Sequence, residues 1–84
     1  MPTPPRRWSR RQEEQRAGAD QAAQYAAQDL AEAQARIIEA RQLIRANPDL
    51  AIQLLAEASA AVARAAAEQE RIQRLMLEAR IGRE

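Results

Sequence analysis

The chain has no cysteine, no histidine, no phenylalanine and no lysine. Without Cys there is no disulfide staple and no thiolate metal site. Without His the commonest general base and the commonest metal ligand are both missing. Zinc chemistry, triad hydrolysis and histidine phosphotransfer therefore have no obvious residues to work with. Only Trp8 and Tyr25 are aromatic. Proline is confined to positions 2, 4, 5 and 48, and glycine to Gly18 and Gly82. No apolar run approaches the ~18 residues of a membrane span. Arg6 and Arg7 precede no apolar stretch, so the start does not read as a secretory signal. The expectation is a cytoplasmic protein, or one incorporated in a particle.

What remains is alanine, arginine, acid and glutamine. Alanine fills 21 of 84 positions, and all 13 basic residues are arginine. The net charge of +1 conceals an asymmetry. Residues 1–18 hold five Arg against two Glu, whereas the rest holds eight Arg against ten acids. The basic character thus belongs to the N-terminal arm.

From residue 10 onward nearly every residue is a good helix former. Residues 1–8 contain three prolines, which remove donors and restrict their neighbours, so they read as a flexible arm. Ser9 and Gln12 fit a capping box that starts helix 1 near residue 10. Gly18 is a soft spot in that helix, a place for fraying or a kink between 16 and 20. Asn47-Pro48-Asp49 supplies a cap, a first-turn proline and a negative charge at the start of a second helix. The expected organisation is an arm at 1–8, a hairpin at 9–82 and a tail at 83–84. Helix 1 covers about 10–46, the turn 47–49, and helix 2 about 48–81, with Gly82 as its stop.

Two runs at steps of three and four define an expected seam. The first is Ala19, Ala23, Ala26, Leu30, Ala33, Ile37, Ala40 and Ile44. The second is Ala51, Leu55, Ala58, Val62, Ala65, Gln69, Ile72 and Met76. Folding at Asn47-Pro48 sets Ile44 on Ala51, Ala40 on Leu55, Ile37 on Ala58, Ala33 on Val62 and Leu30 on Ala65. Most layers then match one bulky side chain with one methyl. The expected fold is all-α, an antiparallel two-helix hairpin of the alanine-rich coiled-coil kind. Such a seam buries little, so assembly into a four-helix or larger bundle is expected.

The surface expected to mediate that assembly comprises Ile38, Leu43, Leu50, Ile52, Leu54, Leu75, Leu77 and Ile81, all placed outside the seam. Arg6, Arg7, Trp8, Arg10 and Arg11 form a second candidate, a contact for nucleic acid or another anion. Arginine pairs with phosphate and Trp stacks on a base. The same arm suits an acidic protein groove, a lipid surface or a plain solubilising tail. Gln69, opposite Ala26, is a candidate register-fixing polar residue. Asp29 and Glu68 should flank that layer, but paired carboxylates on an open rod lack the cleft that catalysis needs.

The segment from Ala46 through Asn47, Pro48 and Asp49 to Ala58 resembles the Pro-containing turn of type III secretion needle subunits. Those are also short hairpins with an early Trp. The C-terminus departs from that family, which ends in apolar and aromatic residues; here the chain ends Arg80-Ile81-Gly82-Arg83-Glu84. The shape is also similar to small hairpins that dimerise into RNA-binding bundles, although no basic stripe runs along this one. No family assignment follows. The functional expectation is a non-enzymatic assembly or adaptor module without catalytic residues, cofactor, metal or small-molecule substrate. Its partners would be further copies or another protein. The alternative is a small nucleic-acid-associated regulator acting through the arm.

Overall fold

The computed structural model describes residues 10–83, with side chains from Arg10 to Arg80. It is an antiparallel hairpin of two long helices, α1 (Arg10–Leu43) and α2 (Pro48–Arg83), packed along their length. At 1.5 Å per residue each is roughly 50 Å long. The described residues contain no strand.

The turn is built by local chemistry. The Asn47 amide donates to the Leu43 carbonyl at 2.7 Å, closing the end of α1. The Asn47 side-chain Oδ1 accepts from the Leu50 amide at 3.2 Å, and its carbonyl accepts from Ala51 at 3.0 Å. Asn47 is therefore the N-cap of α2. Pro48 occupies the first helical position, where its missing N–H is not needed. Asp49 lies in the first turn, favourable to the helix dipole.

Helix α1 stops at Leu43 rather than Ala46; residues 44–46 form the turn that delivers Asn47 to its capping position. Gly82 does not stop α2, which continues to Arg83. No described glycine adopts a positive φ, so the left-handed cap that a terminal glycine supplies is not formed. Gly18 neither frays nor kinks α1. A methyl placed on it would meet Leu75 Cδ1 at 3.4 Å, a van der Waals contact with the end of a flexible side chain.

The seam differs from the expected one in phase. Ala19, Ala33, Ala40, Ala51, Ala58 and Ala65 are buried, as the pattern required. The large residues assigned beside them are not. Leu30 is 52% exposed and Ile37 42%, and Ile44, Leu55, Val62 and Met76 are similarly open. Their places are taken by the residue one position earlier: Ala22, Asp29, Arg36 and Leu43 on α1, and Leu54, Ala61, Glu68 and Leu75 on α2. Ala33 packs on Ala58 and Ala61, and Ala40 on Ala51 and Leu54. Each alanine thus meets Ala61 or Leu54 where Val62 or Leu55 was expected.

The reason is room. Alanines at every seventh position on both helices let the backbones approach near the ~8 Å lower limit of helix packing. Little bulk fits between them: among the described branched residues only Leu54 is buried, Leu43, Ile72 and Leu75 are half-buried, and the rest stand outside the seam. Among the described residues, the buried hydrophobic ones are nine alanines and Leu54, and no large side chain is fully enclosed. Gln12 extends the buried row toward the open end, its Nε2 donating to the Ala79 carbonyl at 3.1 Å. The Ser9 half of the proposed capping box lies outside the described residues.

Candidate interaction surface

Counting from the seam alanines separates two rims. The residue before each of Ala33, Ala40, Ala58 and Ala65 is Glu32, Glu39, Glu57 and Arg64. The residue four places after Ala26, Ala33, Ala40, Ala51 and Ala58 is Leu30, Ile37, Ile44, Leu55 and Val62. On a helix these offsets fall on opposite sides of the seam. In an antiparallel pair corresponding rims share a side, so the hairpin has one charged rim and one apolar rim.

The charged rim is tied across the helices. Arg64 places Nη2 at 2.8 Å from Glu32 Oε2 and Nε at 3.3 Å from Asp29 Oδ1. Arg36 spans Glu57 at 3.6 Å and, on its own helix, Glu32 and Glu39 at 3.9 Å. Gln15 donates to Glu78 at 3.2 Å on the same side. The arginine side chains are largely exposed, so each such pair contributes under about 1 kcal/mol. The chief effect of these contacts is to orient one side toward water.

Two polar atoms at the seam are less well served. Arg36 Nε and Glu68 Oε2 are buried without a hydrogen bond, although Arg36 Nε keeps its 3.6 Å ionic approach to Glu57. Gln69, the expected register residue, is exposed, and Glu68 takes the seam position instead. Asp29 is engaged by Arg64 from α2. The Tyr25 hydroxyl accepts from Gln21 Nε2 within α1.

The apolar rim has no such partners. From Ala23 to Ile44 on α1 and from Leu55 to Met76 on α2, these positions carry no charge, and Gln69 is the one polar residue. Leu30, Ile37, Ile44, Leu55 and Val62 occupy its turn-proximal half. The small residues Ala27, Ser59 and Ala66 border it, also exposed.

The structure redistributes the surface expected from sequence. Leu54 is 6% exposed and belongs to the seam, so it is removed from that surface. Leu43 and Leu75 are half-buried at the seam, on its near flank. Leu50, Ile52, Ile38 and Leu77 are exposed, and Ile52, which follows Ala51 as Ser59 follows Ala58, borders the apolar rim. Ile38 and Leu77 lie on the outer backs of their helices. Shallow depressions beside them are each lined by one helix: Ile38, Arg41 and Gln42 on α1, and Glu70, Gln73, Arg74 and Leu77 on α2. The Ile81 side chain and all of Arg6, Arg7 and Trp8 lie outside the described residues. Arg10 and Arg11 are exposed at the open end of the hairpin. Among the described residues no three potential ligands gather to hold a metal ion.

One expectation about membranes needs correcting. Within Pro48–Arg80, α2 does contain a stretch long and apolar enough to cross a bilayer by length and composition. Its hydropathy comes from alanine together with Leu50, Ile52, Leu54, Leu55 and Val62, and Glu57 and Arg64 of the same helix pair with residues of α1.

No family model matches the chain, and neither a curated protein nor a solved structure is similar to it.

Proposed function

We propose that this chain is a non-enzymatic assembly module that joins protein partners through its apolar rim. The observation that carries this reading is the uncharged row from Leu30 to Ile44 and from Leu55 to Val62, left open by a seam made of alanine. Branched side chains in contiguous rows on one side of a rod are costly in water and gain by being covered. The opposite rim, with its cross-helix ion pairs, is suited to remain in solvent. The partner is proposed to be protein rather than bilayer, because the apolar rim is a narrow stripe flanked by Gln34, Arg41 and Gln73. The nucleic-acid reading rests on the arm alone.

Affinity capture from the native host tests the proposal. Wild-type chain is compared with an Ile37→Glu/Val62→Glu variant and with a chain lacking residues 1–9. The expected result is that proteins retained by the wild type, further copies of the chain included, are lost with the rim variant and kept without the arm. Retention of the same proteins by wild type and rim variant would overturn the reading.

A further inference from the structure

We infer that the occupant of the apolar rim is a second copy of this chain, so that two hairpins form a four-helix bundle with their charged rims outward. This rests on the reading of that rim as a docking surface and goes on to name what docks. Three observations carry it.

The first is area. Taking roughly 180 Å² for a fully exposed Leu or Ile, the exposures of Leu30, Ile37, Ile44, Leu55 and Val62 leave on the order of 400 Å² of apolar surface on one side. A standard interface takes ~800 Å² from each partner. The five large residues supply about half of that, and the exposed methyls of Ala23, Ala27 and Ala66 extend it. The rim thus supplies the apolar centre of such a contact, and its flanks, Gln34, Arg41 and Gln73 among them, would supply the remainder.

The second is charge. Among the rim positions from Ala23 to Ile44 and from Leu55 to Met76 there is none to repel a like copy. A second hairpin laid on this side brings no charge from those positions, has Arg41 of the flanking row beside the contact, and buries none of the Arg36–Glu57 or Arg64–Glu32 contacts.

The third is shape. Ile37 and Leu55 stand as knobs, while Ala27, Ser59 and Ala66 leave gaps beside the row. A second copy presents the same knobs and gaps, so side chains of one fit over methyls of the other. Matching of large against small, expected inside one hairpin, is thereby transferred to the contact between two.

The test is the mass of the purified full chain in solution at micromolar concentration, by sedimentation or light scattering. The expected result is twice the 9.4 kDa of one chain. Ile37→Glu/Val62→Glu should fall to the single-chain mass, whereas Glu32→Gln/Arg64→Gln on the other rim should keep the doubled mass. Circular dichroism on each variant reports whether helix persists. Should the rim variant unfold, the wild-type mass and the charged-rim control still decide. A wild-type mass of one chain would overturn self-pairing while leaving the docking reading to the capture experiment. A doubled mass that survives the rim variant, or is lost only in the charged-rim variant, would overturn the assignment of the face.

Discussion

Alanine at every seventh place sets how near the two helices come, and Ala61 shows what that nearness costs in tolerance. It is completely enclosed between Ala33 and its own helix. Ala61→Leu should cost about 1–3 kcal/mol by overpacking. Ala63→Leu, on the outer back of α2, should fall within about ±0.5 kcal/mol. Urea denaturation of both variants checks this, and equal midpoints would show that the seam is not where the structure places it. The seventh-residue rows Ala19, Ala26, Ala33, Ala40 and Ala51, Ala58, Ala65 were legible in the sequence, because spacing alone reveals them. Which neighbours complete the seam was not. Ile37 and Arg36 lie on opposite sides of the same ridge, and hydrophobicity favours Ile37. The gap between two alanine-lined backbones decides otherwise, and its width belongs to both helices together.

At the scale of the elements, the turn is the best-determined part. Asn47 holds the Leu50 amide with its side chain, while its own amide closes α1 on Leu43. Asn47→Ala should lower stability by about 1 kcal/mol, within the 0.5–2 kcal/mol range of cap losses. The midpoint of chemical denaturation reads this, and an unchanged midpoint would argue that the cap is dispensable. Capping was readable from Asn47-Pro48-Asp49 because a cap depends on neighbours in sequence. The helix limits were less so. Propensity carries α1 to Ala46, but the chain must leave the helix after Leu43 to reverse direction. Gly82 reads as a stop, yet its freedom is unused and α2 runs through it. Gly18 reads as a break, yet α1 runs through it without interruption.

For the whole molecule, the separation of rims matters more than any one contact. One rim carries ion pairs of small individual value, and the other carries Leu30, Ile37, Ile44, Leu55 and Val62, which stand open beside the seam. A second packing surface is expected from sequence, since alanine methyls bury only about 0.8 kcal/mol each. Of the residues expected on that surface, Leu54 lies in the seam instead, because the phase of the seam decides which side is left over. Covering Leu30, Ile37 and Val62 by association would link folding to concentration. Thermal unfolding of the wild-type chain, followed by circular dichroism over a wide range of concentrations, reads that linkage most directly. An apolar rim covered by another copy requires Tm to rise steadily with concentration; a Tm independent of concentration, in a chain of single-copy mass, would contradict it.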